Sequence, residues 1–238
     1  MAELDEPEFE QGDLAGVMSR FDHVREWVED FEAQHGTRPM YYGPLDRAAS
    51  KMRPLNLIYH LRGPLFAHVY RPEHDEEGGG TTLWFGIEPY LTEEEEIIKQ
   101  VLVERLLKEA PNSPSFSTDA EFEAMLENML LKHTKITNAP ASINDVVTPV
   151  RRFLGLNEPP ISVTAQQMER LQYTVIRDLV RSGPLETLLS DEMLEDIHAV
   201  GLRYISMDHK VFGMVTSNIR FRDREMLERY LRAMSERI

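Results

Sequence analysis

The sequence predicts an α+β protein: a helix-rich unit holding a small antiparallel sheet, followed by a shorter α/β unit. Three observations carry that expectation. Leu14, Val17, Phe21, Val24, Val28 and Phe31 recur in steps of three and four, the spacing of one helix face. Two apolar runs between Pro54 and Pro72 flank Arg62-Gly63-Pro64, a turn signal, and read as paired strands. Thr92 with Glu95, Thr118 with Glu121 and Thr164 with Gln167 set a hydroxyl three residues ahead of a carboxylate or amide, which marks helix starts.

Taken in order, residues 1–13 are acidic and poor in large apolar groups, and are expected to be a mobile tail. The helix from Leu14 should end at Gly36, the residue type that best tolerates the left-handed turn after a helix. The hairpin around Gly63 leads to the exposed loop HDEEGGG, and TTLWFGIEPYL supplies a third strand. Helices follow Thr92, whose glutamate run Glu93–Glu96 suits the positive end of a helix, and Thr118. Residues 136–163 are rich in Pro and Asn and read as a connector with one short helix. A helix from Ala165 stops at Gly183-Pro184. Ile197 to Phe221 should form a two-strand hairpin turning between Asp208 and Gly213. Met226, Leu227, Tyr230, Leu231 and Met234 then form one stripe of a closing helix. The expected division is therefore 1–13 tail, 14–135 helix-rich domain, 136–163 connector and 164–238 partial α/β domain.

Composition narrows the function classes. A net charge of -15 opposes nonspecific binding to nucleic acid, which needs an excess of Lys and Arg. No cysteine is present, so neither disulfides nor thiolate metal sites can form. The start carries no basic segment followed by an apolar run, and no stretch approaches the ~18 apolar residues of a membrane span. A cytoplasmic protein is expected.

The chemical motifs are mostly absent. The chain has no G-x-x-x-x-G-K-[ST] to cradle phosphates, and no G-x-G-x-x-G, G-x-S-x-G or H-E-x-x-H. His60 and His68 lie an even number of residues apart and could share a sheet face near His74, Glu73 and Asp75. Strands and loops scatter histidines often, so no metal site is expected.

Three segments resemble a known family. Leu188 to Gly201 reads LLSDEMLEDIHAVG, and Thr216 to Phe221 reads TSNIRF. Phe85 to Glu95 reads FGIEPYLTEEE. Together they resemble the archaeal type II/IV secretion-system protein E ATPases, the motors of pili, archaella and related secretion. The resemblance covers roughly Leu55 to Ile238, and its motif residues are Glu195, Asp196, Ile197, Gly201, Thr216, Asn218 and Phe221. It implies an N-terminal regulatory region ahead of a hexameric ATPase, with residues 164–238 as the start of a PAS-like α/β domain. The family's RecA-like core and Walker motifs do not occur in this sequence. ATP and Mg2+ are therefore implied for a full-length parent and not for this chain. The implied partners are its own ATPase domain, neighbouring protomers, and a membrane platform protein or accessory subunits at the inner face of the membrane. Arg220 and Arg222, at a strand end, are the candidate nucleotide contacts. The alternative is a free-standing, non-catalytic cytoplasmic adaptor.

Overall fold

The computed structural model describes residues 9–72, 80–112, 116–140 and 159–236. His74, Glu73, Asp75, most of the HDEEGGG loop and the short helix expected in the connector lie outside them.

The chain folds as α+β. The first helical stripe forms two helices, α1 (Leu14–Arg20) and α2 (Asp22–His35). The break is Phe21, in extended backbone (φ -122°), which turns its ring edge-on to Phe66 at 5.0 Å. Gly36 ends α2 at φ +67°, as its position predicts. Residues 9–13 are not free. Phe9 packs on Tyr41 at 5.8 Å, Gly12 N donates to the Tyr41 carbonyl at 2.9 Å, and Asp13 caps α1 through Gly16 N.

The main sheet uses β1 (Met40–Tyr41), β2 (Asn56–Arg62), β3 (Leu65–Tyr70), β4 (Thr82–Ile87), β7 (Leu194–His198), β8 (Ser206–His209) and β9 (Gly213–Ser217). Their order is β1-β2-β3-β4-β9-β8-β7. The antiparallel β2–β3–β4 piece is the one the Gly63 turn predicts. The expected two-strand hairpin is instead a three-strand meander, with Leu194–His198 added beside Ser206–His209. Its turn does fall between His209 and Gly213.

The two sheet pieces are joined. β9 lies parallel to β4, with Leu83 opposite Thr216 and Trp84 opposite Ser217. A parallel pair needs a long crossover, and here the crossover holds the second compact unit. The described residues of Pro89–Gly183 form that unit; those of Asp5–Glu88 and Pro184–Ile238 form the sheet unit. The chain is thus divided by insertion and not in the sequential order 14–135 then 164–238, because pairing of distant strands outweighs chain order.

On one face of the sheet α1 and α2 cover Ile58, Phe66 and Ile87. On the other, Leu57, Tyr59, Ala67, Val69, Trp84, Met207 and Val215 pack against the short α6 (Glu186–Leu189) and α7 (Arg224–Glu236). Leu57, Ile58 and Tyr59 are buried in succession because both faces of β2 are covered, which erases the usual alternation.

The inserted unit contains α3 (Glu93–Glu109), α4 (Asp119–His133) and α5 (Ala165–Leu179) around Ile98, Leu102, Leu130 and Leu171. Thr92 and Thr164 form complete capping boxes. Thr118 caps Glu121 N, but the Glu121 carboxylate takes Ser117 N instead of returning to Thr118. Both ends of the expected connector are ordered, since β5 (Thr134–Ile136) pairs in parallel with β6 (Ile161–Val163).

Candidate functional site

Two of the three resemblance segments meet at Gly86, and the third begins one residue past the side chain that packs on it. Residue 86 lies in β4, and its N–H donates to the Asn218 side-chain oxygen at 3.1 Å. Asn218 N donates to the Trp84 carbonyl at 3.2 Å, so the asparagine extends the β4–β9 pairing past the strand end. Thr187, directly before Leu188, packs from α6. A Cβ at residue 86 would lie 3.0 Å from Thr187 Cβ and Cγ2 and 3.1 Å from the Trp84 ring. A side chain here would crowd Thr187 and Trp84, so glycine is favoured by close approach of neighbours and not by backbone angle.

Behind this junction lies a buried polar chain. Asp191 Oδ2 accepts from Tyr59 Oη at 2.5 Å and Trp84 Nε1 at 3.1 Å, while Oδ1 accepts from Met193 N at 2.9 Å. His209 Nδ1 accepts from Val211 N at 3.0 Å, which leaves the ring proton on Nε2. That proton faces the Tyr59 oxygen at 3.2 Å. Burial and the Asp191 carboxylate push the Tyr59 hydroxyl well above the usual phenol range. Burial also lowers the His209 pKa, against the pull of Asp191. Beside them Glu186, 1% exposed, forms an ion pair with Arg62.

A Tyr–Asp–His chain can in principle move protons. Here Tyr59, Trp84, Asp191 and His209 are all buried, Asp191 the most exposed of them at 5%. The arrangement fixes the α6 end, the β8–β9 turn and the sheet centre relative to one another. Sequence reading did not single out Tyr59, Trp84, Asp191 or Glu186, and it took Arg62 only as a turn residue and His209 only as part of the resembling stretch. The available signal was a pair of acids, Glu186 and Asp191, inside the apolar run LETLLSDEML.

The other motif residues scatter around this centre. Glu195 sits at a register break in β7 and lines a cleft of about 400 Å³ with Asp46, Arg47 and Lys210, a charge-balanced set. Asp196 is opposite Asp208, and Ile197 is opposite Met207 in the core. Gly201 turns at φ +61°. Thr216 lies between Ser206 and Leu83. Phe221 is buried, its ring 5.3 Å from Tyr230. Arg220 and Arg222 flank it and are exposed, with Arg220 4.9 Å over the Tyr204 ring.

Among the described residues the histidines are engaged elsewhere. His68 is wholly buried, taking a bond from Trp27 Nε1 at 3.1 Å and giving one to Asn56 Oδ1 at 2.7 Å. Both ring nitrogens are therefore committed. His60 Nε2 donates to the Gly63 carbonyl at 2.9 Å. Among the described residues no three His, Asp or Glu side chains could hold a metal ion. Nor, among them, is any helix long and apolar enough to cross a membrane.

No protein-family model matches the chain. It is 28% identical over 229 residues, 96% of its length, to an uncharacterized protein of Methanocaldococcus jannaschii. The chain spans 40% of that relative's length.

Proposed function

We propose that this chain is the N-terminal regulatory and partner-docking region of a hexameric ATPase that drives secretion, pilus or archaellum assembly. The observation that carries the reading is the convergence at Gly86. Phe85-Gly86 and Thr216–Asn218 are far apart in sequence, yet Gly86 N bonds Asn218, and Thr187, the residue before Leu188, packs 3.0 Å from where a Cβ at residue 86 would lie. Two of the resembling segments and the residue before the third thus share one packed junction, which supports reading them together. The relative's greater length is compatible with a catalytic core joined to such a region.

On this reading the chain is a cytoplasmic, non-catalytic scaffold, held at the inner face of the membrane through a platform protein or accessory subunits. ATP and Mg2+ belong to the P-loop core, since nothing in this sequence supplies a phosphate cradle. Arg220 and Arg222 are the residues that would reach toward a nucleotide. The second reading, a free-standing adaptor, is favoured by the same missing P-loop.

Sequencing the reading frame past the Ile238 codon discriminates the two. A following G-x-x-x-x-G-K-[ST] is expected, and a stop codon with no such motif leaves the adaptor. The isolated chain should show no calorimetric ATP binding, and micromolar affinity with turnover would overturn the division of labour. In a full-length motor, Arg220→Gln and Arg222→Gln should lower kcat by about tenfold, or 1.4 kcal/mol. Losses under about threefold in both would leave the two arginines as surface charge.

A further inference from the structure

The sheet face covered by α2 is covered over only part of its width. Val24, Val28 and Phe31 of α2 belong to the cover over β2, β3 and β4. Register carries the same face onward across β9, β8 and β7. Leu83 leads to Thr216, Thr216 to Ser206, and Ser206 to His198; one step along, Met214 faces Asp208 and Asp208 faces Asp196. Met214 is 62% exposed, and the His198 and Asp208 side chains are 48% and 40% exposed. The reverse face of these strands is core, with Met207 and Val215 fully buried. One face of the sheet is thus packed across these strands, while the other presents a Met214 side chain among acids.

Asp196 and Asp208 are directly opposite on neighbouring strands, where like charges repel. His198 Nε2 lies 3.2 Å from Asp208 Oδ2 and answers one carboxylate of the two. A cation arriving from outside would relieve the pair. The β7 edge itself is a poor template for strand addition, because its register breaks between Leu194 and Asp196 and it carries Glu195 and Asp196. The face therefore offers the better docking surface. Its three strands span about 10 Å between outer axes, and five residues of β7 run about 17 Å. Those dimensions match one helix about 10 Å across and about 11 residues long.

We propose that this open face binds an amphipathic helix of a partner protein. The helix carries Lys or Arg at i and i+3 or i+4 beside an apolar residue, setting cations over Asp196 and Asp208 and the apolar group on Met214. The inference goes beyond the motor assignment and stands equally for an adaptor, so it can fail without touching that assignment.

The probe is a fluorescent peptide of about 14 residues with leucines on one stripe and lysines flanking it, titrated by anisotropy against the whole chain at 0.15 M salt. Asp196→Asn with Asp208→Asn should weaken binding about tenfold or more. Glu93→Gln with Glu94→Gln removes equal charge from a helix start elsewhere and should change affinity less than about twofold. Removing a like-charge pair should not lower the thermal midpoint, so lost binding would not reflect lost folding. Equal losses in the two double variants would reduce the effect to general attraction by an acidic chain and overturn the proposal. So would the absence of saturable binding. Self-association of the chain that Asp196→Asn with Asp208→Asn abolishes would make the occupant a second copy, which also overturns it.

Discussion

Acid should unfold the sheet unit through His68. The ring is wholly buried, with Nε2–H given to Asn56 and Nδ1 accepting from Trp27. A second proton would have to sit on Nδ1, facing the Trp27 N–H, so donor would meet donor. Desolvation by burial, with nearby His35 adding, lowers the His68 pKa to about 3. An unfolded chain titrates this side chain near ~6.5. Between those values the unfolded state binds the extra proton, so stability is full above pH ~7 and falls as pH drops below ~6.5. Linkage then gives a loss of about 1.4 kcal/mol at pH 5.5 and about 2.7 kcal/mol at pH 4.5. Urea unfolding followed by tryptophan fluorescence reads this directly, because Trp27 and Trp84 are the two tryptophans and both lie in the sheet unit. His68→Gln should be less stable at pH 7.5 by about 1–3 kcal/mol, through loss of the Trp27 bond. It should also lose one proton's worth of pH dependence, so that wild type and variant converge by about 1.4 kcal/mol at pH 5.5. Carboxylates and His209 titrate in both proteins and cancel. Parallel stability–pH curves for the two would refute the argument.

Gly86→Ala should cost about 1–3 kcal/mol by overpacking, and Thr187→Ser, which removes the clashing Cγ2, should recover part of it in thermal melts. Tyr59→Phe removes the hydroxyl that joins Asp191 to His209 and should cost about 1–3 kcal/mol in urea unfolding at neutral pH; no change would mean that water replaces it. Thr164→Ala deletes one half of a capping box and should cost about 1 kcal/mol, seen as faster hydrogen exchange in Ala165–Leu179 and not in the β2–β3 hairpin.

Local chemistry was legible in the sequence, and long-range pairing was not. The Thr92 and Thr164 caps, the Gly36 stop and the Arg62–Pro64 turn each depend on groups within a few residues of one another, so their signals are contiguous. The turn after His209 belongs with them. The split at Phe21 depends on Phe66, a ring from another element, and the apolar spacing alone reads as one helix. Leu194–His198 carries only two apolar residues among three charged or titratable ones, so its strand has no alternation to reveal it. The parallel match of Thr82–Trp84 with Val215–Ser217 pairs backbones more than 130 residues apart, and no local pattern encodes which edge meets which. That one pairing joined two expected sheets and turned a sequential division into an insertion. The junction followed from it. Residue 86 shows a glycine in a strand, but the crowding that favours it comes from Thr187, and the place of Asn218 comes from the β4–β9 register. Asp191 looks like one more acid in an acidic chain until tertiary packing buries it against Tyr59 and Trp84. The sequence by itself determined where the threonine-capped helices start, where the chain turns at Gly63 and after His209, and that it carries no phosphate-binding loop motif, because those rest on near neighbours. Only the tertiary structure decided which polar groups are sealed in and which sheet face stays open, because burial is settled by elements distant in the chain.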